Sequence, residues 1–229
     1  MSKDKKNDVS GVGEDIEVAV SRTEAFIEKN QKQLIYAVLA VVVIVSAFIL
    51  FNRYHLAPQE TEAQNQMAKA QVYFAQDSFK LAFTGDGLDA KGFKRIIEDY
   101  GLTESANLAQ AYAGICLYKM GEYKKAITYL EDFDGNGDVN FTPTINGLIG
   151  DAFVELNETD KALSYFAKAY KLENKMLSPV FLKKAALLHE SKGEFDKAIA
   201  LYTEIKDKYF DSAIARDIDK YIERASLSK

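Results

Sequence analysis

Eighteen consecutive residues without a charge, Leu34 to Phe51, interrupt a chain whose polar and apolar residues are otherwise mixed. At the helical rise of about 1.5 Å per residue, such a run is about 27 Å long, close to the hydrocarbon core of a bilayer. Lys29 and Lys32 precede the run and Arg53 follows it, where their side chains can reach the headgroups. The pattern predicts one transmembrane helix over residues 34–52, acting as an uncleaved signal anchor.

Two other interpretations of this run are a buried core helix and a cleaved signal peptide. The run is longer than a core helix normally needs, and 33 residues precede it, too many for the charged region of a secretory signal. The leader, residues 1–33, has apolar residues on one side of a helix from about Glu14. That helix either lies on a membrane surface or a partner, or extends the span as a solvated helix.

The flanking charges of the run predict its orientation. Three cations, Arg22, Lys29 and Lys32, precede it within the sensitive margin, whereas only Arg53 and then Lys69 follow. Cationic flanks favour the cytoplasmic side. We therefore expect the leader in the cytoplasm and the body, residues 53–229, on the opposite side.

The body shows a second pattern, a repeat of 36 residues. Three columns of small or turn-forming residues keep this interval: Gly114, Gly150 and Ala186; Gly121, Asn157 and Gly193; and Ala126, Ala162 and Ala198. A fixed period of this length indicates stacked helical units, none of which can bury its apolar face alone. We predict repeats at residues 107–142, 143–178 and 179–212, preceded by a degenerate repeat at 60–106 and followed by a capping helix at 213–227.

Within one unit the spacing predicts a helix, a turn and a second helix. The small residues let the two helices approach, and the Gly or Asn takes the left-handed conformation that ends the first helix. These columns resemble the tetratricopeptide repeat, which implies an all-α solenoid. The chain departs from that pattern because no Trp occupies the fourth position, His189 replaces an aromatic residue, and the period is 36 residues instead of about 34.

Local signals place the ends of the helices. Thr142-Pro143 and Ser178-Pro179 each put a hydroxyl before a proline, which predicts a side-chain N-cap and a proline in the first helical turn. In the degenerate repeat, we expect one first helix from Glu60 to Phe83. The second half of this repeat is marked by an apolar helical stripe and by Ala90, which lies 36 residues before Ala126. The stripe is formed by Phe93, Ile96, Ile97 and Tyr100.

Composition excludes several classes of function. The body contains 23 Lys and Arg against 27 Asp and Glu, and this acidic balance argues against a nucleic-acid partner. The two histidines, His55 and His189, lack neighbours that would complete a metal site or a nucleophile-base pair, and Cys116 is expected to be an inert buried thiol. We therefore predict neither catalytic residues nor a cofactor.

One loop partly matches an EF-hand. Asp132, Asp134, Asn136 and Asp138 fall in its first seven positions, but Pro143 stands where the bidentate Glu should be. Asp-Gly and Asn-Gly pairs are also ordinary turn formers. The loop is therefore either a weak calcium site or a long turn between repeats.

The resemblance to tetratricopeptide repeats implies a concave face formed by the first helices of successive repeats. The residues it places there form an apolar lane with few charges. We interpret this lane as a groove for a protein partner; alternatively, these residues pack on neighbouring helices or on the capping segment. The residues are Leu108, Ala111, Ile115 and Tyr118, then Thr144, Gly147, Asp151 and Val154, then Val180, Lys183, Leu187 and Glu190.

The whole arrangement resembles the YfgM-like, membrane-anchored tetratricopeptide proteins of Gram-negative bacteria. The likeness rests on the leader segment 23–30, the single anchor, and the motifs at 70–74, 113–115 and 147–152. It implies an accessory subunit of the Sec translocon in the inner membrane, with a periplasmic body. Such a subunit works beside a membrane-anchored prolyl isomerase, a chaperone, and meets secretory chains as they emerge.

The residues alone support a tethered protein-interaction module that is not an enzyme. Tethering raises the effective concentration of a weak binding surface near the membrane. The alternative function is an envelope scaffold that regulates a cell-wall or secretion machine through a stable partner.

Overall fold

The computed structural model describes residues 10–229, with side chains from Lys29 onward. Across this part of the chain, all regular secondary structure is helical. The chain divides into two compact units, Met1–Ala57 and Pro58–Lys229, each of which is considered by itself.

The first unit contains one long helix, α1, at Ser10–Phe51, followed by a π-helical turn at Asn52–Leu56. The helical segment Lys29–Ala75 is the one described segment that is long and apolar enough to cross a bilayer. Large apolar side chains between Leu34 and Phe51 are 37% to 71% exposed, so this run does not belong to the core of this chain. The apolar side predicted for the leader falls on side chains outside the described part.

Ten α-helices and one 3-10 turn make up the rest of the described chain. They are α2 Ala57–Ala75, α3 Phe79–Thr84, α4 Gly92–Tyr100, α5 Glu104–Lys119, α6 Tyr123–Glu131, α7 Phe141–Glu155, α8 Thr159–Tyr170, α9 Ser178–Ser191, α10 Phe195–Lys208, the 3-10 turn Ile214–Asp217 and α11 Ile218–Leu227. The pairs α5–α6, α7–α8 and α9–α10 each form a helix-turn-helix unit.

The small residues of the first column lie where the two helices of a unit meet. A Cβ built on Gly150 would lie 2.6 Å from the ring of Phe166, and a Cβ on Gly114 would collide with Leu130. Ala186, the third member of the column, is fully buried in the cluster that contains Tyr202. The prediction that Gly150 lies at this junction is confirmed, because close helix packing leaves no room for a larger side chain.

The predicted first helix from Glu60 to Phe83 is wrong. The chain leaves the helix after Ala75, where Asp77 adopts a positive φ of 55°, and it resumes as the short helix α3. Ala90 lies in a loop, but the predicted apolar stripe is confirmed, because Phe93 and Ile96 are buried on α4. The carboxylate of Asp86 explains this loop, since it accepts hydrogen bonds from the backbone N–H groups of residues 88, 89 and 90.

The predicted hydroxyl N-caps at Thr142 and Ser178 are wrong as well. Asp138 accepts hydrogen bonds from the N–H groups of residues 140 and 141 at the start of α7, and Asn174 accepts them from residues 176 and 177 before α9. The Ser178 hydroxyl instead donates to the carbonyl of Tyr170 at 2.8 Å. An Asx side chain upstream therefore satisfies amides at the start of each helix.

The chain closes with the 3-10 turn and α11, so the predicted capping helix begins properly only at Ile218. Ile218 and Ala225 are buried in the cluster that contains Tyr202. Arg224 donates to Glu190 of α9, and the ring of Tyr221 lies 5.5 Å from that of Tyr202. The last unit is therefore covered by α11.

Candidate functional site: the first-helix lane

The residues predicted to line a groove divide into buried and exposed groups. Ala111 and Gly147 are buried, so the prediction that they line an open groove is wrong. Leu108 and Ile115 are half-buried and pack against two different apolar clusters. An open apolar lane along all three first helices is therefore not what the structure contains.

Contacts between successive first helices explain this burial. A Cβ on Gly147 of α7 would collide with the ring of Phe181 of α9. Ala111 of α5 lies in one apolar cluster with Ile145 and Ile149 of α7. The predicted columns thus include residues that join one repeat to the next, and these residues serve packing instead of binding.

A row of polar side chains runs across the three first helices α5, α7 and α9. Lys184 of α9 donates to both carboxylate oxygens of Asp151 of α7, at 2.7 and 2.6 Å. Tyr118 of α5 belongs to the same row, because burial and then the charges of Asp151 and Glu155 raise the pKa of its hydroxyl. Each of the three helices therefore contributes one polar side chain to the row.

Apolar side chains remain exposed beside this row. Val154 and Leu187 are exposed, at 37% and 40%, and Thr144 is exposed near the start of α7. We define the first-helix lane by the polar row and these two aliphatic residues: Tyr118, Asp151, Val154, Lys184 and Leu187. This surface combines hydrogen-bonding groups with aliphatic area, the combination that extended or helical peptides use when they dock on a protein.

The far end of the predicted lane is occupied by the chain itself. The ammonium group of Lys183 lies 4.1 Å from the centroid of the Tyr221 ring. Glu190 accepts from Tyr202 at 2.9 Å and also from Arg224. For these two residues, the interpretation in which the capping segment covers the lane is the correct one. Val180 is half-buried and lines a small cavity with Met176 and Ile214.

Sequence reasoning missed Lys184 and selected its neighbour Lys183. The alignment of the repeats assigned Lys183 to the concave face. A helical register shifted by one residue would have assigned Lys184 instead. The useful signal is a carboxylate, Asp151, that lies on the preceding first helix and pairs with Lys184. A pair of opposite charges on adjacent first helices therefore locates the polar row better than the repeat alignment does.

The EF-hand-like loop does not bring its carboxylates together. Asp138 accepts the N–H groups at the start of α7, and Asp134 accepts the N–H of Asn136. The Asn107 side chain donates to the carbonyl of Asp134 and accepts its N–H, both at 2.8 Å. Within residues 29–229, the structure holds no group of three or more His, Cys, Asp or Glu residues arranged for a metal. Asp134, Asn136 and Asp138 thus make the hydrogen bonds of an inter-repeat turn, and Asp132 ends α6.

The two other side chains considered for chemistry, Cys116 and His189, have structural environments. Cys116 is fully buried, and burial raises the pKa of its thiol to about 12, so the thiolate is absent at neutral pH. His189 is half-buried, and its Nδ1 lies 2.5 Å from Glu194. That contact lowers the pKa of the Glu194 carboxyl. Neither residue is arranged for catalysis.

Comparisons with known proteins agree with this architecture. Residues 143–176 and residues 109–134 match family models described as tetratricopeptide repeat. The chain is similar to a solved structure described as the crystal structure of MamA protein, with a TM-score of 0.53, 16% identity, and coverage of 72% of this chain and 87% of that chain. No curated protein matches. The chain therefore contains tetratricopeptide repeats, and at this identity the likeness to MamA shows the fold alone.

Proposed function

We propose that this chain, which carries tetratricopeptide repeats behind an N-terminal apolar helix, is a membrane-anchored protein-binding subunit and not an enzyme. The observation that carries the proposal is the presence of the repeats, since stacked helical repeats create extended surfaces for protein partners. The first-helix lane is the surface we assign to the partner.

The composition of the lane supports a peptide ligand of mixed character. The aliphatic side chains of Val154 and Leu187 offer a shallow apolar contact, while Asp151 and Lys184 offer hydrogen bonds of both signs. Because Asp151 and Lys184 satisfy each other, a partner gains little by breaking their ion pair. We therefore expect the apolar residues to contribute most of the affinity, with the pair determining register.

The anchor makes a modest affinity sufficient. The apolar run of α1 would hold the lane near one membrane and raise its effective concentration toward partners in the same membrane. Its charge flank, with Lys29 and Lys32 before the run, supports a cytoplasmic leader and a periplasmic body. Protease added to intact spheroplasts should remove the body, and a protected body would contradict this orientation.

The finer identity of the partner follows from the resemblance to the YfgM-like proteins. We propose an accessory subunit of the Sec translocon that contacts a membrane-anchored prolyl isomerase and emerging secretory chains. The alternative is an envelope scaffold that regulates a cell-wall or secretion machine. The two differ in the proteins that should touch the lane.

Site-specific photocrosslinking in the full chain tests this proposal. A crosslinking residue at Leu187 probes the lane, and the same residue at Leu81 of α3 is a matched control, because both leucines are 40% exposed. We expect Leu187 to crosslink to translocon subunits, the prolyl isomerase or a secretory chain, while Leu81 does not. Crosslinks from Leu187 to cell-wall synthases would support the scaffold, and equal yields from both positions would contradict a binding role for the lane.

A charge substitution gives an independent readout. Leu187→Lys should reduce those crosslinks when the probe is moved to Val154, because the new ammonium group must lose its hydration on binding. Leu81→Lys should leave them unchanged. Since Leu187 is exposed, helicity by circular dichroism should be the same in both variants.

A further inference from the structure

Four large apolar side chains stand exposed in the turns that join one helix pair to the next. Leu102, Val139, Met176 and Phe210 each lie between a second helix and the following first helix, or the segment that replaces it. They are 70%, 62%, 82% and 77% exposed. We call these residues the turn edge. Single exposed apolar residues are common on protein surfaces, but these four occupy the same structural place in four successive turns.

Hydrogen bonds show that neighbouring turns lie side by side. The Asn174 side chain donates to the carbonyl of Val139 at 2.8 Å, which joins the turn at 132–140 to the turn at 171–177. Met176 lines the same cavity as Ile214, which joins the third turn to the fourth. The mutual bonds of Asn107 and Asp134 tie the second turn to the start of α5, just after the first. The four turns therefore follow one another along the same edge of the stack.

The charges beside this row are unevenly distributed. The turn at 132–140 has three acidic residues and no basic one, whereas the turn at 171–177 has two lysines and one glutamate. Backbone N–H groups of Phe141 and Asn140 lower the pKa of Asp138, so this carboxyl is charged at neutral pH. The two central turns thus present opposite net charge.

We propose that the turn edge is an interface with a second copy of this chain, paired antiparallel about a two-fold axis. That arrangement puts Val139 opposite Met176 of the other copy, and Leu102 opposite Phe210. It also places the acidic turn of each copy against the lysine-bearing turn of its partner, whereas parallel pairing would bring two acidic turns together. Methionine and phenylalanine are enriched in such interfaces.

A bilayer surface fits the same row less well. Membrane docking of exposed apolar residues is strengthened by cations facing anionic lipids. The turn at 132–140 would instead turn three carboxylates toward the headgroups. A second copy satisfies both the apolar row and its charge distribution, so it is the occupant we assign.

Disulfide trapping in the full chain distinguishes these arrangements. Cys116 is fully buried and can stay in place. Two differently tagged chains, one with Val139→Cys and one with Met176→Cys, are expressed together and oxidised mildly. We expect a linked heterodimer when the two are mixed and little dimer from either variant alone. Leu88→Cys, at a residue 94% exposed in the loop before α4, is the control for random collision.

Several outcomes would overturn the proposal. Efficient linkage of Met176→Cys to itself would indicate parallel pairing, and linkage no greater than that of Leu88→Cys would indicate no interface at this edge. The chain has no tryptophan, so Phe210→Trp is a unique fluorescent reporter. Its quenching by brominated lipids, without trapping of dimers, would assign the edge to the membrane instead.

Charge variants test the antiparallel register without altering the core. Lys175→Glu should raise the dissociation constant of the dimer about tenfold, because it places an acidic side chain against the acidic turn of the partner. Adding Asp132→Lys to the same chain should restore association by reversing both charges. If the double variant dissociates as readily as the single one, the two turns do not face each other.

Discussion

The helix pairs α5–α10 and the preceding segment α2–α4 both bury apolar clusters, but they differ in which contacts recur along the sequence. In the pairs, a small residue of the first helix receives a large apolar side chain of the second, as Gly150 receives Phe166. In the preceding segment, side-chain hydrogen bonds reach across long stretches of sequence, as Glu60 does to Ser105 at 2.6 Å. The first kind of contact repeats every 36 residues. The bond between Glu60 and Ser105 has no counterpart at that interval, where Ile96 and Phe141 stand.

The difference shows what a sequence period conveys. A period records steric contacts that each unit must make with itself, so it is strongest where packing is tight. Each polar clamp of α2–α4 needs one donor and one acceptor, and these residue types do not recur at the interval of the repeat. Gln66, whose side chain accepts the N–H of Lys91, and Tyr73, whose hydroxyl donates to Asp86 at 2.8 Å, illustrate this in α2.

The largest expected effect comes from overfilling the apolar junction. Gly150→Leu should destabilise the fold by about 1–3 kcal/mol, because the new side chain must displace the ring of Phe166. At about 2–4 °C per kcal/mol, thermal unfolding followed by circular dichroism should show it clearly. Thr144→Leu, an exposed change on the same helix, should not lower the melting temperature. Equal melting of the two variants would contradict the packing described for this junction.

A smaller effect is expected from breaking a polar clamp. Glu60→Ala should cost about 1 kcal/mol, because it leaves the hydroxyl and N–H of Ser105 without this acceptor. Hydrogen exchange should quicken at the start of α5 and remain unchanged in α7–α10. Glu223→Ala, an exposed change in α11, is the control. A uniform loss of protection along the chain would mean that the clamp and the repeats unfold as one unit.

The smallest expected effect is on the stability of the fold at low pH. Hydrogen bonds from the backbone N–H groups of residues 88 and 90 lower the pKa of Asp86 to about 2. Since the folded state holds the charged form, this carboxylate stabilises the fold above its unfolded pKa of about 4, and the contribution is lost as the pH falls toward 2. Asp86→Asn should therefore narrow the stability difference between pH 4 and pH 2. Asp89→Asn is the control, and identical acid unfolding of both variants would contradict this role.

The tetratricopeptide units could be predicted from the sequence because their signals are steric. Tight helix junctions are indicated by the small size of Gly114, Gly150 and Ala186. The break after Ala75 could not be predicted in the same way, since the apolar spacing of α2 and α3 continues across it. The left-handed Asp77, and the hydrogen bonds from the N–H groups of residues 77 and 78 to the carbonyls of residues 74 and 73, show how the chain turns there.

The binding surface was predicted less well, for a related reason. A column assigned from the repeat pattern does not say whether a residue faces solvent or the next repeat, and Gly147 proves to lie beneath Phe181. The helix caps show the opposite case. Asp138 and Asn174 are 36 residues apart and do the same work, so their period was available in the sequence but was outweighed by the hydroxyls before Pro143 and Pro179.

The contacts of α11 determine how such an array could be lengthened. Arg224 and Tyr221 hold the last unit through Glu190 and Lys183, which belong to α9. A unit inserted after residue 212 would separate these partners and require new ones. Duplicating residues 143–178 instead would keep every contact of α11 and reproduce the Gly150 junction. Growth of the array is therefore expected in its interior, with the C-terminal helix carried along unchanged.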